Sequence, residues 1–343
     1  MSAYQSNVSA SVVYEENEGE RVLTDTIAII VILFAGTSNL LVIVTLLKFV
    51  TRKLREEAGT KLILNLAASD LIFVLIALPM DRLHLLISNY STANQICRMN
   101  LSLFYCTFFS TLFTLTLIAV NRLILIVYNP IYHKVYTKLN VTLMIISTWL
   151  LSLFLALIPY FKIWGQYKLD KRARNWCGIR GAEGTSSNAW PRDFFFILGF
   201  ALPGITMVFT YGMIWFKVIH SGNNFRTNKS AERNFKLFKL IVIIFGTFIL
   251  CYFPNLFIRA IAKQRGYGYV KAIGIILIWL NCCLNPIIYF SFNQEYRFAL
   301  ERMLGFRLTW KRSQPPPSSD HTSESAISNT GNRVDGPQAK TSV

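Results

Sequence analysis

Seven apolar runs, each close to bilayer length, divide this chain and leave it few ways to fold. Thr26–Leu47, Met99–Val120, Leu139–Phe161, Phe194–Phe216, Leu240–Ile258 and Ala272–Asn293 carry no charge, and Leu62–Met80 carries only Asp70. A helix rising about 1.5 Å per residue needs roughly 20 residues to cross a hydrocarbon core about 30 Å thick. Periodicity does not separate a buried soluble helix from a membrane span, but length does. The expected architecture is an all-α membrane protein, a seven-transmembrane helix bundle over 26–293. A polar N-terminal tail, 1–25, precedes it. A short amphipathic eighth helix, 294–306, follows, with Tyr296, Phe298, Ala299, Met303 and Leu304 toward lipid and Arg297, Arg302 and Arg307 toward headgroups. The Pro/Ser/Thr/Gly-rich remainder, 307–343, contains Pro315-Pro316-Pro317 and reads as a disordered cytoplasmic tail.

Only 15% of the residues are charged, against about 25% in soluble domains, and the net charge is +17. Such a balance suggests nucleic acid, but the basic residues gather in short loops between the apolar runs, where membrane proteins place them. No RNA-binding aromatic motif occurs, and His84, His133, His220 and His321 share no ligand-like spacing, so neither nucleic acid nor a bound transition metal is expected. The first 25 residues lack a basic start and an apolar core, so no cleavable leader is expected. The Asn7-Val8-Ser9 sequon is usable only outside the cell. With the N-terminus outside, Asn89-Tyr90-Ser91 is outside as well, while Asn140 and Asn228 fall inside. The inner segments then hold 21 Lys and Arg and the outer ones 14; the early short loop with Lys48, Arg52, Lys53, Arg55 and Lys61 weighs most. The expectation is a multi-pass plasma-membrane protein with a cytoplasmic C-terminus.

Two features inside the runs carry chemistry. Met99–Val120 ends on Asn121-Arg122-Leu123, and an arginine at the edge of the hydrocarbon is costly without a partner or a task. In the last run, Pro286 of Asn281-Cys282-Cys283-Leu284-Asn285-Pro286-Ile287-Ile288-Tyr289 breaks the helical ladder and frees a carbonyl, which Asn285 is expected to satisfy. A tolerated kink is the plain account, and a hinge with a polar core the sharper one. Asp70, Asn39 and Thr111 lie at depths that join Asn281 and Asn285, and a carboxylate at mid-membrane is more often functional than structural.

Taken in order, the chain resembles the rhodopsin-like G-protein-coupled receptors over nearly its whole length. The matching pieces are Gly36-Thr37-Ser38-Asn39, Asn65-Leu66-Ala67-Ala68-Ser69-Asp70, Cys97, Asn121-Arg122-Leu123, Pro130, Trp149, Pro159, Cys177, Pro203, Tyr211, Phe248, Cys251-Tyr252-Phe253-Pro254 and Asn285-Pro286-Ile287-Ile288-Tyr289. Each is weak alone, but the ordered set is very specific. The segment from Ile163-Trp164-Gly165-Gln166-Tyr167 to Cys177, then Phe195-Phe196-Ile197-Leu198-Gly199-Phe200, looks like the Moody/trapped-in-endoderm group of invertebrate receptors. Asn-Arg in place of Asp-Arg also occurs there and in melatonin receptors.

The resemblance implies a Cys97–Cys177 disulfide, with Cys106, Cys251, Cys282 and Cys283 as plain small residues within spans. It implies a sodium-binding polar core of Asn39, Asp70, Thr111, Asn281 and Asn285, with Cys282 where a serine is usual, and no other cofactor. A packing switch of Leu112, Pro203 and Phe248 follows, with Tyr252 where a tryptophan is usual. Asn121, Arg122, Tyr211, Asn285, Pro286 and Tyr289 would form the switch that opens for a heterotrimeric G protein. Arrestin and receptor kinases would act at the Ser/Thr-rich tail, and glycans would stand at Asn7 and Asn89. Thr341-Ser342-Val343 fits a C-terminal ligand for a PDZ domain.

Amine receptors carry an aspartate seven residues after the first-loop cysteine; here that place is Phe104, followed by Tyr105. Visual pigments hold retinal on a lysine where this chain has Trp279. Neither ligand class is expected, and these three residues are expected to line the pocket of an unknown extracellular ligand. The outer segments beyond the N-tail hold 13 Lys and Arg against Asp81, Asp170, Glu183 and Asp193. A basic vestibule over an aromatic pocket favours an anionic or amphipathic ligand; the equal alternative is that these charges meet headgroups and the acidic N-tail. A channel or transporter would need charges in several spans, and only Asp70 lies at depth. An enzyme would need a paired Asp/Asp, Ser/His or metal set within the runs, which they lack. A non-coupling seven-helix adhesion or scaffold receptor is the remaining alternative. In most relatives a carboxylate precedes the arginine and another on the sixth run restrains it. Here Asn121 and Asn234 take those places, with Glu232 two residues away, so a weaker restraint and basal signalling are expected.

Overall fold

With no water in the hydrocarbon, each apolar run must satisfy its backbone within itself, and helices do so. The computed structural model describes residues 18–169, 177–181, 194, 197–220, 229–261 and 268–306. The first crossing is α1 (Glu18–Val44), closed by a π-turn at Thr45–Phe49. A short inner helix α2 (Arg52–Glu56) is capped by the Thr51 side chain, which accepts from Leu54 N. The second crossing joins α3 (Ala58–Ile72), a π-turn (Phe73–Ala77) and α4 (Leu78–Leu86). The third is α5 (Tyr90–Ile126), whose Asn89 cap accepts from Thr92 N at 3.2 Å. After α6 (Asn129–Val135) come α7 (Lys138–Tyr160), a π-turn (Ile197–Ala201) leading into α8 (Leu202–His220), then α9 (Lys229–Ile261) and α10 (Gly268–Phe292).

Among the described residues six crossings are long and apolar enough to span a membrane, and α8 supplies the seventh of the bundle. The third crossing is the centre: α5 packs against α3, α4, α7, α8 and α9, while α10 packs on α9 and α1. Leu33, Phe154 and Leu250 point outward, as befits a lipid-facing surface. Helix α1 starts two turns ahead of its apolar run because Thr24 and Asp25 both meet Arg82 of α4, at 3.0 and 3.2 Å.

Two strands interrupt the all-helical pattern. β1 (Gln166–Leu169) pairs antiparallel with β2 (Cys177–Arg180), with Tyr167 opposite Ile179 and Leu169 opposite Cys177. The expected Cys97–Cys177 disulfide ties this hairpin to α5. The short eighth helix is α11 (Gln294–Leu304), capped by Asn293 and closed by Gly305 in the left-handed region (φ 74°). Its orientation differs from expectation. Tyr296 and Ala299 turn into the bundle rather than to lipid, because the Thr60 hydroxyl, 3.0 Å from the Tyr296 hydroxyl, offers a polar partner that lipid lacks. Arg297 is buried rather than set among headgroups. Asn7, Asn228 and the tail with Thr341-Ser342-Val343 lie outside the described residues.

Candidate functional site

Pro286 has no amide to give the carbonyl four residues back, that of Cys282. Asn39 of α1 takes it: its Nδ2 donates to Cys282 O at 2.9 Å and to Ala35 O at 2.9 Å. Asn285, the residue expected to do this, instead donates to Asp70 Oδ2 at 2.9 Å. Asn285 stands three residues after that carbonyl, within reach of a back-bond, but its amide is turned to the Asp70 carboxylate on α3. Below Asp70 the polar contacts continue between α3 and α5. The Ser69 and Ser110 hydroxyls are 3.0 Å apart, and Asn65 Nδ2 donates to Thr114 Oγ1 at 2.7 Å. Trp149 of α7 donates its indole N–H to Asn65 Oδ1 at 2.8 Å. Asn65 and Trp149 both belong to the family pattern, but nothing in the sequence paired them; an amide inside an apolar run was the available signal.

A cavity of about 10 Å³ lies against Asp70, Ser69, Thr107, Thr111, Tyr252 and Cys282. It has room for about one water-sized species. Thr111 lines it, whereas Asn39, Asn281 and Asn285 do not, although all three are buried. The carboxylate and hydroxyls suit a hard cation; the Cys282 thiol in the same wall does not. Among the described residues no group of three or more His, Cys, Asp or Glu side chains could hold a metal ion.

Toward the outer end, aromatic rings form a column. Tyr167 of β1 stacks on Tyr105 with centroids 5.8 Å apart, and its hydroxyl donates to Ala156 O. Tyr105 meets Phe104 at 5.3 Å and Phe108 at 6.4 Å. Phe108 touches Tyr252 at 5.1 Å and Phe248 at 6.2 Å, and the last two rings are 4.3 Å apart. Leu112 joins Phe248 and Tyr252 in one buried cluster, and Pro203 is buried at the start of α8. Trp279 makes its ring contact elsewhere. It lies 5.5 Å beneath the Arg82 guanidinium, which also bonds Asp25 of α1 and its neighbour Asp81, and Asn100 of α5 donates to Asp81 at 3.0 Å. This cluster was not legible beforehand, since its members come from four helices. It places one outer arginine against an acid at the end of the N-tail. Arg98 likewise turns inward, to Tyr160 O and over the Tyr160 ring.

At the inner end, Asn121 and Arg122 are buried, Arg122 at 4% exposure. Asn121 Nδ2 donates to the Tyr132 hydroxyl of α6 at 3.3 Å. The Arg122 guanidinium lies where a Cβ on Gly59 would be, so a glycine at the start of α3 makes room for it. Two further hydroxyls feel its charge. Burial pushes Tyr136 and Tyr296 each up to about 12, and the guanidinium pulls both the other way. Both remain neutral donors at physiological pH. Tyr211 packs on Phe238 and Phe245, at 5.5 and 6.1 Å, and Tyr289 is fully buried on α10. On the rim, hydrogen bonds from Lys138 and Lys61 hold the exposed Glu56 carboxyl below its ordinary range.

A family model described as 7 transmembrane receptor (rhodopsin family) matches residues 38–289. Protein trapped in endoderm-1 of Drosophila melanogaster is 27% identical over 312 residues, covering 82% of this chain and 78% of that protein. The G-protein coupled receptor moody of the same fly is 23% identical over 333 residues, covering 78% of this chain but only 48% of moody. Melatonin receptor type 1B of Rattus norvegicus is 28% identical over 297 residues, covering 82% of this chain and 78% of the receptor. In fold, the crystal structure of squid rhodopsin superposes with a TM-score of 0.71 at 21% identity, covering 85% of this chain and 87% of rhodopsin. With the family pattern matched from the first crossing to the last, the chain belongs to the rhodopsin family of seven-transmembrane, G-protein-coupled receptors.

Proposed function

We propose that this receptor reports an anionic or amphipathic extracellular ligand to a heterotrimeric G protein, with its N-terminus outside the plasma membrane. The column of rings from Tyr167 to Phe248 carries the reading. It gives a ligand beneath the hairpin an unbroken path of contacts to α9, beside the cavity at Asp70. The basic outer segments would attract negative charge, although Asp25 and Asp81 already offset Arg82. A sodium ion would sit against Asp70 and Thr111 and supply a positive charge that holds the resting arrangement. Arg122, Tyr211 and Tyr289 would rearrange on activation, with Asn121, Asn285 and Pro286 as their supports. The tail would serve kinases, arrestin and, through Thr341-Ser342-Val343, a PDZ-domain protein; a pull-down indifferent to loss of Val343 would remove the last.

Anionic lipids and acidic peptides, screened with a G-protein-dissociation readout, test the ligand class. Phe108→Leu, which opens the ring column, is expected to lower the response to any hit at equal surface expression. A receptor answering only to cationic compounds would overturn the class. Topology is tested separately. Glycans are expected on Asn7 and Asn89, which is exposed and uses its Oδ1 as a helix cap. None is expected on Asn140, whose Nδ2 is bonded to Val135 O at 2.9 Å. Mass mapping that found sugar on Asn228 would reverse the orientation.

A further inference from the structure

A groove of about 500 Å³ runs along the outside of the bundle between α5 and α7. Phe113, Leu117, Leu143, Met144 and Leu151 form its apolar walls, and no residue of α8 lines it. Three hydroxyls lie in it, yet each is committed to its own helix. Thr116 donates to Leu112 O, Ser147 to Leu143 O and Thr148 to Ile145 O, at 2.9, 2.8 and 2.7 Å. The groove therefore offers an occupant a dry channel over most of its length. Its polar end is Asn140, in the first turn of α7. From Asn140 to Leu151 the helix rises about 16 Å, close to the depth of one leaflet of a hydrocarbon core about 30 Å thick.

Charge at the polar end is positive. Asn140 reaches the carbonyl of Lys134, an exposed residue that makes no ion pair among the described residues. Lys138 follows in the same turn, 73% exposed, although it also reaches Glu56 at 3.2 Å. We propose that this groove is a binding site for an anionic phospholipid. One acyl chain lies between Phe113 and Leu151, and the phosphate group sits at the first turn of α7, beside Lys134. The choice of leaflet, the cytoplasmic one, rests on the topology proposed above; the site itself does not.

Native mass spectrometry of the purified full-length receptor, titrated with phosphatidylserine or phosphatidylcholine of equal chain length, tests this. The wild type is expected to retain one phosphatidylserine with about fivefold preference, the effect of one lysine near an anionic headgroup. Ser147→Trp fills an exposed, lipid-facing position and should remove the retained lipid of either kind. Lys134→Gln, on the surface and harmless to folding, should bring the two lipids to parity. Equal retention by the wild type, displacement by cholesterol in place of phosphatidylserine, or an unchanged preference in Lys134→Gln would overturn the proposal. The measurement needs neither agonist nor G protein, so its failure would leave the signalling reading intact, and glycan mapping judges the topology alone.

Discussion

Arg122→Ala is expected to abolish G-protein activation, and Asn121→Asp to lower basal activity about fivefold, at matched surface expression. The guanidinium lies at the inner end of the central helix, buried among an amide, phenol hydroxyls and the bare backbone of Gly59. Charge-assisted hydrogen bonds are roughly twice as strong as neutral ones, so a carboxylate at 121 would hold the arginine more firmly than Asn121 does. Replacing a neutral hydrogen bond by a charge-assisted one gains about 1 kcal/mol, which changes a minor active population about fivefold. Gly59→Ala acts in the opposite direction. Its Cβ would take the space of the guanidinium, and a flexible side-chain end gives way more readily than backbone, so basal activity should rise while the fold survives. Wild-type activity no higher than in mock-transfected cells, and unmoved by Asn121→Asp, would show that the hydroxyl groups restrain Arg122 as well as a carboxylate does.

Cys97→Ser is expected to cost the receptor most of its surface expression and to lower its melting temperature in detergent. The bond joins residues 80 apart in sequence. Closing a loop of that length contributes about 4.5 kcal/mol in the chain-entropy model. Other contacts would remain: Tyr90 donates its hydroxyl to Leu169 O, and Leu169 N donates to Asn94 Oδ1, each at 2.9 Å. These sit on the same hairpin and help hold Tyr167 beneath it, so the loss should fall on the outer end and on ligand response before the inner switch. Free thiols at both cysteines in a non-reduced digest of the wild type, or a Cys97→Ser receptor with unaltered melting and expression, would contradict this.

The crossings were legible because run length is a local property: uncharged segments of bilayer length leave the backbone one solution. What escaped was tertiary. Four-residue strands set among charges carry too little periodicity to announce a hairpin. The early start of α1 depends on Arg82, 57 residues from Asp25. Asn285 looked like the partner of the carbonyl freed by Pro286 because it stands beside the proline. The Asp70 carboxylate on α3 draws the Asn285 amide instead, and Asn39 of α1 takes the carbonyl. Trp279 belonged with Phe104 by analogy of position, yet its cationic neighbour, Arg82, comes from α4. The family pattern did place Asp70 and Asn285 at one depth, and they bond there.

The π-turn at Phe73–Ala77 has a consequence for phase. Asp70 and Arg82 are twelve residues apart, which on a regular helix sets them about 120° from each other. A π-turn takes in one residue more than an α-turn and so gives back about 100° of rotation. The two side chains are thereby returned to nearly the same azimuth, and both meet α10: Asp70 through Asn285, Arg82 through Trp279. The bulge works as an angular spacer. Rewinding Phe73–Ala77 as regular α-helix with every residue kept would swing everything above it by about 100° and uncouple the outer charge cluster from the buried carboxylate below, whereas removing one residue there would straighten the turn and keep the phase.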